Sequence, residues 1–254
     1  MILAIDVGNT NIVLGVMENE KIVFSGRLST NINETDEEYA MKIHSFLRLH
    51  NLFDIEGAII SSVVPALVGT LKKAVKLITG VNALVVGPGI KTGLSIEIDD
   101  PATLGADLVV GAVAAKEKYP HPTIIFDLGT ATTGTVINAK GACIGGMIAA
   151  GVKSSINALS TGTAQLPQIS ITAPTKVIGT NTVDCMKSGA VIGAAVMLDG
   201  FVDRFEKELG QKATVVVTGG LGKSIVKNCT HEMIIDENLL LDGLRIIYYK
   251  NCDK

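Results

Sequence analysis

Tryptophan is absent from this 254-residue chain, and aromatic residues make up only 4% of it. Charge is not concentrated either. The net charge is −3 and no basic run occurs, which argues against nucleic acid and membrane surfaces as partners. The opening MILAIDVGNT lacks a basic leader and a cleavage-site pattern, so it does not read as a secretory signal. The longest apolar helical stretch, LVVGAVAA, is too short to span a bilayer and has Asp107 at its head. Four cysteines (Cys143, Cys185, Cys229, Cys252) and four histidines (His44, His50, His121, His231) are scattered without metal or redox spacing. The expectation is a cytoplasmic protein whose thiols stay reduced and carry no chemistry.

What the chain does have is glycine, 27 residues of it, and a 47% hydrophobic share. That is enough apolar material for a sizeable core. Glycine-rich segments of small and branched residues are usual where helices pack on sheets. MILAIDVG, NIVLGVME and KIVFSGRL read as three successive strands. A helix follows over ETDEEYAMKIHSFLRLHN, with Thr35 as its cap, Glu38 three residues on, and Tyr39, Ile43, Phe46 and Leu47 at helical spacing. GAIISSVV is a buried strand, Pro65 opens a second helix, and NALVVGPG is another strand. Asp100-Pro101 marks the start of a crossover helix that Pro120 ends.

After that helix the pattern starts again. TIIFDLGTATTGTVIN repeats the opening, aligning Asp127 with Asp6 and Gly129 with Gly8, and later strands and helices stay in step. A recurrence some 120 residues apart implies a duplicated βββαβα unit. The expected fold is α/β, with two domains, residues 1–118 and 119–254, whose mixed sheets face a central cleft.

Each copy puts an aspartate at the end of its first strand and a glycine turn with hydroxyl residues just after it. Glycine allows close backbone approach, and turn N–H groups and threonine hydroxyls can donate to phosphate oxygens. A bare aspartate would repel phosphate, so a magnesium ion between them is expected. Alternatively, the aspartates only cap turns, a common role for Asp. A third glycine turn, VVVTGGLG, suits an adenosine, with Gly219 and Gly220 as its floor. Two nucleotide motifs are missing. GKS at 222–224 lacks the upstream glycine of a P-loop, since Val217 stands there, and no GxGxxG follows the first strand. Asp107, at the head of an apolar helical run, fits either a general base with a raised pKa or an acid favoured by the helix dipole.

DVGNTN, DLGTATT and TGGLG resemble the phosphate and adenosine motifs of the acetate and sugar kinase, heat-shock ATPase and actin superfamily. SSVVPAL, GPGIKTGL, LGADL, FDLGTATTG, GGMIAAGV, IGTNTVDCMKSG and DENLLLDGL, spread in order over nearly the whole chain, resemble type III pantothenate kinase. The resemblance implies ATP-dependent phosphorylation of pantothenate to 4'-phosphopantothenate, the first step of coenzyme A biosynthesis. It also implies that the two domains are RNase H-like (actin-like ATPase) domains, and it implies magnesium, a monovalent cation (potassium or ammonium) and a homodimer. It assigns nucleotide contacts to Asp6, Val7, Gly8, Asn9, Thr10, Asn11, Ile12 and Val13, and to Thr130, Gly219 and Gly220. It makes Asp6 the residue that orders magnesium through water, Asp127 the monovalent-cation residue and Asp107 the base. Substrate contacts fall on Ile98, Gly105, Ala106, Asp107 and Leu108, and on Thr182 across the dimer.

The acceptor side departs from the family pattern. GADR is expected where this chain has GADL, so Leu108 replaces the arginine that would pair with a carboxylate. Ile98 stands where a tyrosine is common, and Ala150 near a usual proline. Two rival readings follow: a related kinase for a less anionic alcohol, and a non-catalytic nucleotide-binding regulator. Lys91, or a residue from the partner chain, is a candidate substitute partner for the acceptor carboxylate.

Overall fold

Ile2–Val7 forms strand β1, and all six of its residues are buried, as expected of a strand covered on both faces. It pairs antiparallel with β2 (Asn11–Glu18), which pairs antiparallel with β3 (Lys21–Ser29). On its other side β1 pairs parallel with β4 (Gly57–Ser62), and β4 with the two-residue β5 (Leu84–Val85). The sheet order is β3-β2-β1-β4-β5. The computed structural model describes residues 1–252, and its contacts divide the chain into two units. The first holds Met1–Leu94, Asp100–Ala114 and residues 239–252; the second holds Ser95–Asp99 and Ala115–Asn238.

One face of the first sheet, carrying Leu3, Ile5 and Val7, packs on α1 (Asp36–Leu49) and α2 (Pro65–Thr79). Helix α1 starts at Thr35 through a full capping box. Thr35 Oγ1 accepts from Glu38 N–H at 3.2 Å, and Glu38 Oε2 accepts from Thr35 N–H at 2.8 Å. Thr35→Ala is expected to destabilise the protein by about 1 kcal/mol and lower its melting temperature by about 2–4 °C, measurable by calorimetry. A melting temperature unchanged within error would show that the cap contributes nothing net.

The opposite face of this sheet carries Asp6 and Ser61, because side chains alternate along a strand. It is covered by the last helix, α8 (Leu239–Asn251), which contacts β1 and β4. Small residues admit that helix: Leu241 fills the space over Gly15, and Tyr248 the space over Gly57. Helix α3 (Ala106–Lys118) approaches α8 closely where Gly243 meets the Val110 carbonyl. The expected division at 118/119 therefore differs from the observed one. The boundary falls inside α3, and α8 belongs to the first unit because its apolar side is matched to the first sheet.

The second unit repeats the design. Strand β7 (Thr123–Leu128) pairs antiparallel with β8 (Ala131–Ile137), and β8 with β9 (Ala142–Ala150). Strands β10 (Thr214–Thr218) and β11 (Ile234–Ile235) add in parallel. The order β9-β8-β7-β10-β11 repeats the first sheet, with β6 (Ser95–Ile96) added beside β9. The irregularities repeat as well. The β2–β3 register shifts after Val16, skipping Val23, and the β8–β9 register shifts after Val136, skipping Ile144. Counted from the residue opposite each aspartate, both bulges fall at the same step.

The core of this unit packs the Phe126 face of the sheet on α4 (Val152–Gly162), α6 (Gly193–Leu209) and α7 (Gly222–Val226). Helix α5 (Thr182–Lys187), a π-helical turn over Ser188–Ile192 and α6 form one helix of 28 residues. By length and composition alone this helix is long and apolar enough to cross a membrane, so it displaces LVVGAVAA as the longest apolar helical stretch. Its Val191, Ala195, Leu198 and Val202 lie in the core of the second unit. The crossover also starts later than expected. Asp100 caps only a 3-10 turn over Pro101–Thr103, the chain then turns extended at Leu104, and α3 starts at Ala106.

Candidate active site

In the first unit Asp6 is the fifth residue of β1 and only 7% exposed. It lies opposite Val13 on β2 and Ser61 on β4. The hairpin after it is closed by Gly8 N–H donating to the Asn11 carbonyl at 3.0 Å. Two further turn carbonyls are tied back: Thr30 Oγ1 donates to Gly8 O at 2.7 Å, and Thr30 N–H to Thr10 O at 3.0 Å. With these three acceptors engaged, the turn is suited to an anion. Asn9, Thr10 and Asn11 are exposed, and Val13 is half-buried. Val7 and Ile12 belong to the core, so what they offer a ligand is backbone.

In the second unit Asp127 occupies the same strand position, opposite Thr133 on β8 and Thr218 on β10. Its hairpin is one residue shorter, closed by Gly129 N–H to the Ala131 carbonyl at 3.0 Å. The Thr130 carbonyl accepts from Gly151 N–H at 3.1 Å and from Ser154 Oγ at 2.7 Å, the counterpart of the Thr30 tie. Gly219 has φ +90, and a Cβ there would lie 2.5 Å from Asp127 Oδ1 and 2.6 Å from the Leu128 nitrogen. The adenosine-type turn and the second phosphate-type hairpin are therefore in van der Waals contact. Gly220 beside it is exposed. Lys223, the lysine of the misleading GKS, is paired with Glu237 at 2.6 Å.

Asp107 sits in the first turn of α3 in the first unit. Burial pushes its carboxyl above the ordinary carboxylate range, only partly offset by the Leu108 N–H donating to Oδ1 at 2.8 Å and by its own N–H. A Cβ at Gly105 would come within 2.6 Å of Asp107 Oδ1, so glycine at 105 leaves room for the carboxylate. Ala106 and Leu108 flank it, half-buried. Ile98 is half-buried in the second unit. Thr182 is exposed at the start of α5, beside a cavity of about 330 Å3 lined by Ile156, Leu159, Leu166, Met186 and Ala190.

The residues fit the groups that the hairpins call for. A buried strand-end carboxylate beside a turn with its carbonyls engaged suits a metal ion that also takes phosphate oxygens. Among the described residues no cluster of three or more His, Cys, Asp or Glu could hold a metal by itself. Two features escaped sequence reasoning. Ser61 Oγ is fully buried beside Asp6 and lacks a hydrogen-bond partner among the described residues. Extending the repeat alignment beyond the hairpins would have found it, since Thr218 holds the same place beside Asp127. Asn251, at the end of α8, grips both backbone groups of Lys91: its Oδ1 accepts from Lys91 N–H at 2.9 Å, and its Nδ2 donates to Lys91 O at 2.8 Å.

Two mixed sheets of the same order, each ending its central strand in an acid followed by a glycine hairpin, define the actin-like ATPase and sugar-kinase fold class. Two solved structures share the fold. The activator of 2-hydroxyisocaproyl-CoA dehydratase from Clostridium difficile, with bound ADPNP, has a TM-score of 0.54 at 14% identity, covering 98% of this chain and 93% of that one. A ROK family glucokinase from Streptomyces griseus, in complex with glucose and AMPPNP, has a TM-score of 0.50 at 15% identity, covering 96% and 97%. Within that class the chain belongs to the type III pantothenate kinase family, whose model matches residues 2–204. A type III pantothenate kinase from Halalkalibacterium halodurans is 45% identical over 253 residues, 99% of this chain and all of that relative.

Proposed function

We propose that this protein transfers the γ-phosphate of ATP to the primary hydroxyl of pantothenate, giving 4'-phosphopantothenate at the entry to coenzyme A biosynthesis in the cytoplasm. The observation that carries the reading is Asp107, a lone carboxylate with a raised pKa at the head of α3, in a chain of this family. In phosphoryl transfer most of the rate comes from positioning and charge neutralisation, with a carboxylate accepting the hydroxyl proton. Asp107 has that part. The backbone of Gly8–Asn11 and the Thr130 turn hold phosphate oxygens, and Gly219 and Gly220 lie against the adenosine. Asp6 orders the waters of a magnesium ion, which when bound neutralises phosphate charge, and Asp127 holds the monovalent cation. Phosphate transfer to pantothenate, measured with and without potassium, tests the reading. Transfer that depends on both additions is expected, and no transfer to pantothenate under either condition overturns it.

The active form is proposed to be a homodimer in which Thr182 reaches the acceptor of the partner protomer. Exposed apolar side chains on the second unit support an interface there: Ile148 at 75%, Val196 at 62% and Leu159 at 45%. Leu108 and Ile98 favour a second reading, an acceptor less anionic than pantothenate. The two readings separate on pantothenol, which lacks the carboxylate. If Lys91 supplies the missing positive charge, Lys91→Ala loses about ten- to a hundredfold in kcat/KM on pantothenate and little on pantothenol. An equal loss on both substrates removes Lys91 from that role.

A further inference from the structure

Ser61 is the last-but-one residue of β4 and the last of its buried run, and its hydroxyl has no hydrogen-bond partner among the described residues. Buried hydroxyls are almost always satisfied, so one that is not needs a reason. Its neighbour supplies one. Ser61 is in parallel register with Asp6, so the two side chains leave the sheet on the same face, from strands about 4.8 Å apart. The second copy places Thr218, also buried, in the same register beside Asp127. A hydroxyl next to the strand-end acid is thus part of the repeated design. The other fully buried orphan hydroxyl, Thr132, is opposite Leu128 and so shares its face, the apolar core face of the second sheet.

We propose that Ser61 is a positioning residue for Asp6. In the nucleotide-bound state its hydroxyl donates to the Asp6 carboxylate and fixes the oxygen that faces the magnesium-bound waters. Carboxylates at metal sites are commonly held by such an outer partner, and a serine reaches its neighbour by a single χ1 rotation. This rests on the proposed role of Asp6. It adds a residue that the hairpin motifs do not flag, since Ser61 lies on β4, outside both hairpins.

The test is Ser61→Ala, which removes one oxygen and leaves packing nearly unchanged. Binding of a non-hydrolysable ATP analogue is measured by calorimetry over a magnesium series, together with the melting temperature of the nucleotide-free protein. The expected result has three parts. Affinity without magnesium stays within twofold of wild type. Affinity in saturating magnesium falls about five- to twentyfold, as for loss of one hydrogen bond to a charged group. The melting temperature without nucleotide is unchanged or higher, because an unsatisfied buried hydroxyl has been removed. Magnesium-dependent affinity within twofold of wild type overturns the proposal, as does a melting temperature lowered by several degrees, which would make the hydroxyl structural. These outcomes bear on Ser61 alone. A wild-type protein that binds the analogue without regard to magnesium would overturn the role of Asp6 as well.

Discussion

Asp107→Asn is expected to lower turnover by about 10²–10⁴-fold, the range for removal of a general base, while nucleotide affinity stays near wild type. The variant should be no less stable than wild type. Burial raises the Asp107 pKa in the folded state, so the folded protein holds that proton more tightly than the unfolded chain does. Stability from this group is therefore fully present below the unfolded pKa, near 3.9, and is lost as pH rises through the folded one. Above that window the charged carboxylate opposes folding, and a neutral asparagine removes the penalty. The same shift sets the rate profile. The acid limb of kcat/KM should lie above the ordinary carboxylate range in wild type, since the base must be deprotonated, and the asparagine variant should lose that limb. Turnover within tenfold of wild type, with the limb still present, would remove Asp107 from the role of base.

Gly219→Ala is expected to have the largest effect of any single methyl added to the turns proposed to bind nucleotide. Two penalties act together. The backbone there has φ +90, which costs an L-residue about 1–2 kcal/mol. The new Cβ would also meet Asp127 Oδ1 at 2.5 Å and the Leu128 backbone at 2.6–2.7 Å, and overpacking of this kind costs about 1–3 kcal/mol. The total, about 2–5 kcal/mol, is a large part of an ordinary folding stability. Any relief must displace Asp127 or separate β10 from β7, so nucleotide affinity and the response to potassium should fall with stability. Gly210→Ala is the control. It has φ +71 at the end of α6 and nothing within 4 Å of the added methyl, so only the backbone penalty remains. If the two variants melt together and Gly219→Ala binds nucleotide as wild type does, Gly219 is not part of the site.

Much of the fold was legible because its signals are local. The two hairpin acids, their glycines and the strands on either side fall at fixed spacing, and both copies formed as read. The Thr35–Glu38 capping box formed because its partners are three residues apart. The misplaced helix start shows the limit of such signals. Asp100-Pro101 carries the right cap chemistry, but it serves a single turn, and the helix waits for Ala106. Nothing local could have shown that the aspartate of GADL would be desolvated, because burial is a property of what packs around it.

The sequence by itself determined the duplicated βββ unit and the strand-end acids Asp6 and Asp127, because periodicity and turn chemistry act over a few residues. Tertiary structure alone decided three things: that α8 closes over the first sheet, that Gly219 lies against Asp127, and that the Ser61 hydroxyl is buried beside Asp6. Each joins residues between 55 and about 240 positions apart, through the shape of a packed surface or the register of two strands. Contacts of that range leave no periodic trace in a single chain.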